Sequence, residues 1–365
     1  MRTPSCVSSR FNGIARGATR ATYRNATSTL TRARAGGTPK IWTKRANATE
    51  KSSYENSLER RNSRRTSSRE PSSLARTRAG VSALILDGRA LATELRQELV
   101  QRSSALAQRE IRPSLVILLV GTDESSVAYV RNLVRTGEQC GIRVTVDELP
   151  EAASTTLVRE RLERLRTDSS VHGVMLQQPL PSHLKIREIA DAIPALKDVD
   201  GAHPTNQGHL AFGSGTEFIP ATPAAVMLLL ERSPHWPLRG RKTVMIGRSI
   251  VVGAPVALLM LAQDATVTVL HKESHSLQPF LRDAEVVVVA TGVPGLIGGA
   301  DIAPGATVID VGTTVVDGLL RGDVDFASAV EVAGAITPVP GGVGPVTNIA
   351  LLRNVIKSAE RIRER

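Results

Sequence analysis

Aromatic residues are scarce in this chain: Phe, Tyr and Trp together make up 3% of its 365 residues. The first 80 residues hold only Phe11, Tyr23, Trp42 and Tyr54, too few platforms for stacked bases to favour a nucleic-acid-binding arm. Cysteine is scarcer still. Cys6 and Cys140 lie far apart, and no disulfide framework can be read from two such residues. No apolar run approaches the roughly 18–20 residues that cross a bilayer, so neither a membrane nor a nucleic-acid partner is expected. The seven histidines show no ligand spacing with Cys or acids, which argues against a metal site. Acid is missing from one end: no Asp or Glu precedes Glu50.

What is present is unevenly placed. Residues 1–80 contain 15 Arg and 3 Lys against 4 Glu and no Asp, a balance of +14 in a chain whose total is +11. The remaining 285 residues are therefore slightly acidic, at −3, and the basic total says little about what the body binds. An Arg-rich, Ser-rich, acid-poor segment without hydrophobic periodicity does not fold alone. It has the composition of an organelle transit peptide, so residues 1–80 are expected to be a leader. Mitochondrial import is the favoured destination, with a plastid second and a cytoplasmic protein if the segment is not a targeting signal.

Folded structure is expected from near Ala83. Short β-rich apolar runs (115–120, 173–176, 243–246, 266–270, 285–290 and 307–311) alternate with helical patterns. Several are continuously apolar, as in parallel strands covered on both faces. The stretches between them are long enough for crossover helices, so an α/β fold with parallel sheets is predicted. A Gly- and Pro-containing break between about Asp198 and Pro223 divides two lobes. The helical spacing of Ile349, Leu352 and Ile356 predicts a C-terminal helix over 348–365.

Within the second lobe, the β-rich run from Lys242 ends at Gly247. A turn with Arg248 and Ser249 follows, and Gly253 opens a helix with Pro255 in its first turn. Strand, Gly-bearing turn and helix N-terminus make a phosphate-binding element. The spacing departs from G-x-G-x-x-G, so a ligand-free tight turn is also consistent with it. The next strand ends in His271 and Lys272 rather than in the carboxylate that usually holds an NAD ribose. With Arg248, that basic pair favours NADP, although Glu273 stands close by. Thr291 and Gly292, then Gly312 and Thr313, follow later strands at the same sheet edge and are further candidate cofactor contacts.

The segment Ile336–Thr347, ITPVPGGVGPVT, is rigid and poor in side chains, which lets backbone approach a ligand closely. It resembles the hallmark loop of the bifunctional methylenetetrahydrofolate dehydrogenase/cyclohydrolase family, with Val346 where that family usually has Met. LQQPLP (Leu176–Pro181), KDVDGAHPTNQGHL (Lys197–Leu210), PATP (Pro220–Pro223) and GRSIVVGAP (Gly247–Pro255) resemble its other motifs in the same order. The resemblance runs from about Leu84 to Glu360. It implies an N-terminal α/β substrate lobe (81–205), a C-terminal Rossmann-like NADP-binding lobe with parallel sheets (206–347), a terminal helix (348–365) and a homodimer. It also implies tetrahydrofolate substrates. Tyr129 would stack on the folate rings and Asp200 would bind the pterin edge, while Asp198 reads as a capping or surface residue. Gln177 would bond the catalytic lysine. Val130, Leu176 and Gln178, with Pro338, Val339, Pro340, Gly341, Gly342, Val343, Gly344 and Pro345, would line the substrate pocket.

One departure matters most. In the segment that resembles the family's YVxxK, Tyr129 and Val130 match but the lysine position is Leu133. Arg131 and Arg135 are two residues away, on a different side of a helix. Smaller departures are Ala225 for Gly and Lys272-Glu273-Ser274 for a Ser-x-Thr pattern. Leucine cannot transfer protons, so the dehydrogenase step is expected to persist at reduced rate and the cyclohydrolase step to be lost or badly impaired. The competing reading is a folate- or NADP-binding structural partner without catalysis. A two-lobed dehydrogenase for another substrate fits the 336–347 loop poorly.

Overall fold

The computed structural model describes residues 82–213 and 218–361; the leader lies outside the described residues. In chain order the elements are β1 (Leu84–Ile85), α1 (Gly88–Ala107), β2 (Ser114–Val120), α2 (Glu124–Gln139), β3 (Arg143–Leu149), α3 (Thr155–Thr167) and β4 (Gly173–Leu176). Then come α4 (Pro204–Phe212), α5 (Ala221–Leu230), β5 (Lys242–Ile246), α6 (Gly253–Ala262), β6 (Thr266–Leu270), α7 (Gln278–Leu281) and β7 (Val286–Val289). The chain closes with β8 (Thr307–Asp310), β9 (Thr314–Val316), β10 (Leu319–Arg321), α8 (Phe326–Ala329), β11 (Ala335–Ile336) and α9 (Val343–Arg361).

Two parallel sheets organise these elements. The first has the order β3-β2-β4, the second β1-β11-β8-β7-β5-β6, and β9 and β10 form a separate antiparallel hairpin. Strand β2, SLVILLV, is buried along its whole length because helices cover both faces. Leu115 and Ile117 face one core with Leu99 and Leu106 of α1 and Val130 and Leu133 of α2. Val116, Leu118 and Val120 face the other, with Val158 and Leu162 of α3. The same two-residue period runs through β7: Val286 and Val288 pack towards α5 and α6, and Val287 and Val289 towards α7 and α8.

Three features depart from the sequence expectation. Strand β3, RVTVDEL, is an edge strand with mostly accessible side chains, so it carries no apolar run. Strand β1 belongs to the second sheet, pairing Leu84 with Ala335 and Ile85 with Ile336, so the chain begins in one lobe before building the other. Helix α9 starts at Val343, inside the segment expected to be loop, with Pro345 in its first turn. Its residues enter both cores: Val343 and Val346 join the second lobe, whereas Leu351, Leu352, Val355 and Ile356 join the first.

Helix α1 is held at its start by Asp87, whose Oδ1 accepts from the N–H groups of Arg89 (2.8 Å) and Ala90 (3.1 Å). Removing such a cap costs about 1 kcal/mol. Asp87→Ala is therefore expected to lower the urea midpoint by that equivalent with an unchanged m-value; a shift of m would instead mean that the native or denatured ensemble had changed.

Candidate active site

A cleft of about 1030 Å³ separates the carboxyl ends of β4 and β8. Its walls carry Tyr129, Gln177, Gln178 and Asp200 from the first lobe, Asp310, Val311 and Thr313 from the second, and the continuous segment Pro338–Pro345. That segment turns sharply: the Val339–Pro340 peptide is cis and Gly341 has φ 115°. Helix α1 abuts it so closely that a Cβ on Gly88 would fall inside the Gly342 carbonyl. Only glycine fits there.

Asp200 is held from two sides. Asn354 of α9 donates to the carbonyls of Val199 (2.8 Å) and Ile219 (2.9 Å), clamping the two segments between which Asp200 and α5 meet. The Asp200 carboxylate accepts the Ala221 N–H at the head of α5. Burial, with the charge of Asp198 behind it, pushes its pKa up to about 7, against that N–H bond. Asp198 is buried rather than surface-exposed. It accepts from the N–H groups of Ala202 (3.0 Å) and His203 (2.7 Å) and from Asn206 Nδ2 (2.7 Å), which makes it the turn's clamp. Tyr129 lies near Asp200: burial, and then the Asp200 charge, push its phenol above the ordinary value.

Leu133 is 0% exposed and sits in the first-lobe core, not on the cleft wall. It shares a helix face with Tyr129, but an apolar side chain has no reason to stay against a polar cleft. Among the buried polar atoms left without hydrogen-bond partners in the described residues are Gln177 Oε1 and Ser126 Oγ, with Arg96 Nε and Asn348 Oδ1 also on cleft-lining residues. Gln177 spends its Nε2 on the carbonyl of Gln178 at 2.5 Å, which leaves the oxygen orphaned. An unsatisfied buried acceptor is rare and calls for a donor.

Val130 and Leu176 do not line the cleft. Val130 is one helical step of about 100° from Tyr129 and points into the core. Strand alternation sends Met175 and Gln177 to the cleft and Leu176 to the opposite face, against α3. Arg135 does reach the wall, beside Asn132, Thr136 and Gln139, opposite Arg89, Thr93 and Arg96 of α1. Arg89, Arg96 and Ser126 had no signal of their own in the sequence, since a groove between two helices is visible only after packing.

At the second sheet, the register Ile246↔Leu270, Ile246↔Val289 and Val289↔Asp310 brings the four strand ends level. Gly247, Arg248 and Ser249, His271 and Lys272, Thr291 and Gly292, and Gly312 and Thr313 therefore share one edge, of which only Thr313 lines the cleft itself. Ser249 is a cap: its Oγ accepts from the N–H groups of Val252 (3.2 Å) and Gly253 (3.3 Å), so those groups do not face a ligand as expected. The exposed turn from Arg248 to Ile250 remains. Carbonyls crowd this turn, and a Cβ at Gly247 or Gly253 would strike one.

Two family models match the chain: the catalytic domain of tetrahydrofolate dehydrogenase/cyclohydrolase over residues 86–200, and its NAD(P)-binding domain over 220–363. The chain belongs to the tetrahydrofolate dehydrogenase/cyclohydrolase family. The bifunctional protein FolD of Bordetella bronchiseptica is 46% identical over 268 residues, which cover 73% of this chain and 94% of that protein. Among solved structures, FolD of Campylobacter jejuni superposes with a TM-score of 0.74 at 38% identity, covering 77% of this chain and 100% of the other. The Trypanosoma brucei dehydrogenase-cyclohydrolase, described as complexed with NADP cofactor and inhibitor, gives 0.75 at 36% identity, covering 78% and 100%.

The residues at the sheet edge fit the cofactor of this family. The glycine turn admits no Cβ, Arg248 is exposed, and the Lys272 side chain is 85% exposed, its ion pair among the described residues being with Glu273 at 3.6 Å. The end of β6 carries basic groups, which suits a 2′-phosphate better than a bare ribose hydroxyl. Among the described residues no cluster of three or more His, Cys, Asp or Glu is placed to hold a metal ion, and no helix is long and apolar enough to cross a membrane.

Proposed function

We propose that this protein oxidises 5,10-methylenetetrahydrofolate to 5,10-methenyltetrahydrofolate with NADP, and that it carries out the following hydrolysis to 10-formyltetrahydrofolate poorly. The observation that carries this reading is the cleft itself. Tyr129, Gln177, Asp200 and the 338–345 segment share one wall system, while Leu133 has withdrawn into the core.

When bound, NADP accepts a hydride from the one-carbon bridge of the folate. The chain's task in that step is alignment, with no proton to move. Tyr129 offers a face for the pterin, and ionised Asp200 accepts two N–H donors from its amino-pyrimidinone edge. Arg89, Arg96 and Arg135 give the outer groove a positive field that suits the glutamate carboxylates of a folate. Hydrolysis of the methenyl product makes a different demand, because water must be deprotonated and the ring nitrogen protonated. Gln177 and Ser126 can hold a water molecule, but neither is a base near neutral pH.

The protein is proposed to act as a homodimer in mitochondria. The Arg-rich, acid-poor first 80 residues support the location, and resemblance to the family supports the dimer. The test is incubation of purified protein with methylenetetrahydrofolate and NADP, resolving methenyl from 10-formyl product and subtracting spontaneous hydrolysis. NADPH with methenyl accumulation is expected. Enzyme-dependent 10-formyl product would overturn the second half of the proposal. Absence of NADPH, with folate and NADP still binding, would favour the reading as a structural partner.

A further inference from the structure

Asp323 follows strand β10 and is fully buried. It reaches back to a different strand end. Its Oδ2 accepts three hydrogen bonds, from Thr291 N–H (2.5 Å), Thr291 Oγ1 (2.9 Å) and Gly292 N–H (3.0 Å). The Asp323 N–H in turn donates to Asp310 Oδ1 (3.0 Å), which also accepts from Gly312 (2.9 Å), and Val324 N–H donates to Asp310 Oδ2 (2.9 Å). The carboxyl ends of β7 and β8 and both feet of the β9–β10 hairpin are thus tied to two buried carboxylates.

Neither carboxylate forms an ion pair with a cation among the described residues. Burying two acids side by side is a poor way to staple a turn when neutral side chains would serve. Unfavourable burial of this kind concentrates at functional sites. The location agrees. Thr313, Val315 and Leu320 of the hairpin line the cleft together with Asp310. Gly312 lies so close to Asp323 that a Cβ there would enter the carboxylate.

We propose that Asp323 is a positioning residue for the dinucleotide. It would hold the 291–292 turn and the 312–321 hairpin in register, so that the cofactor's reactive end is presented to the folate half of the cleft. This inference rests on the proposed dehydrogenase reading. Ligands in open parallel sheets bind beyond the strand ends that Asp323 joins. Displacement of about 1 Å there is enough to slow a positioned transfer about a hundredfold. Asp323 touches no reacting atom; it acts through Thr291, Gly292 and the hairpin.

The experiment measures the NADPH dissociation constant by fluorescence titration and, separately, the steady-state parameters for both substrates in the full chain. Asp323→Ala is expected to raise the NADPH dissociation constant at least about tenfold and to lower kcat about tenfold, with the folate KM within about threefold of wild type. Asp323→Asn keeps an oxygen for the three donors, and its amide nitrogen takes the place of Oδ1, which has no hydrogen-bond partner among the described residues. It is expected to recover binding to within about threefold. Thr291→Val deletes one donor and keeps the backbone N–H, so a rise of about threefold is expected; this variant carries the test if Asp323→Ala does not fold. Wild-type NADPH affinity in the alanine or valine variant would overturn the inference. So would a parallel rise of the folate KM, which indicates general loss of structure. A wild-type protein that binds no NADPH would overturn the dehydrogenase reading instead, which separates the two failures.

Discussion

Leu133→Lys is expected to raise enzyme-dependent formation of 10-formyltetrahydrofolate by about 10²–10⁴-fold, the range supplied by a positioned general acid–base group. Hydride transfer should change by less than about tenfold. The physical case rests on unmet hydrogen-bond capacity in the cleft, towards which a lysine on the helix face of Tyr129 would extend. Gln177 Oε1 and Ser126 Oγ are buried acceptors without donors, and an ammonium group provides three. Partial burial would draw the lysine pKa down from its ordinary value towards neutrality, where it can exchange protons with water and substrate. The substitution also places a charge next to Leu99, Leu115 and Ile117. A loss of about 1–3 kcal/mol in stability is therefore expected alongside the gain in activity. A product assay that separates methenyl from 10-formyl species decides the matter. If both activities rose equally, Leu133 would be limiting the general geometry of the site rather than proton transfer.

The second large effect falls on Asp200, where function and stability pull in opposite directions. Asp200→Asn exchanges a charged acceptor for an amide with one donor facing the pterin's own donors, and kcat/KM for the folate is expected to fall about 10²-fold. The same variant should be more stable. The carboxyl has an ordinary pKa of 3.8 and a folded value of about 7. Folded protein therefore holds the proton more tightly than unfolded protein does. The resulting stabilisation is complete below pH 3.8 and is lost as pH rises through about 7. Asparagine does not titrate. Its advantage over wild type should thus be absent near pH 4 and should grow to on the order of 2 kcal/mol by pH 8, allowing for solvent at the cleft mouth. Thermal melts across that range test the sign. In the wild type, substrate binding needs the ionised form, so the folate KM should rise as pH falls below about 7. A flat KM between pH 6 and 8 would mean that Asp200 binds substrate in its neutral form or does not bind it at all.

Much of this architecture is legible in the sequence because parallel strands covered on both faces are written as uninterrupted apolar runs. Residues 115–120, 173–176 and 243–246 fall within observed strands for that reason. Strand β3 was not legible, since an edge strand exposes Arg143, Thr145 and Glu148 to its surroundings. Strands β1 and β11 are two residues long each and carry no periodicity. Glycine and proline hid the start of α9, because Gly344 and Pro345 read as loop although the first turn of a helix tolerates both. At the site, motif residues could be named in advance, but their directions could not. Val130 and Leu176 lie beside cleft residues in sequence and face away from the cleft in space. Asp323, Asn354 and Ser126 act through contacts with residues distant in sequence, or through a missing one, and none of these follows from a local pattern.

Helix α9 has a bearing on how the chain reaches its native state. A ribosome that has released everything through Ile336 has delivered every described strand of both sheets. Neither sheet then has its full cover, because Leu351, Leu352, Val355 and Ile356 complete one core and Val343 and Val346 the other. The clamp on the Asp200 turn, Asn354, arrives in the same segment. Neither core can close over its sheet until these last turns emerge, so the two lobes finish folding on one and the same helix.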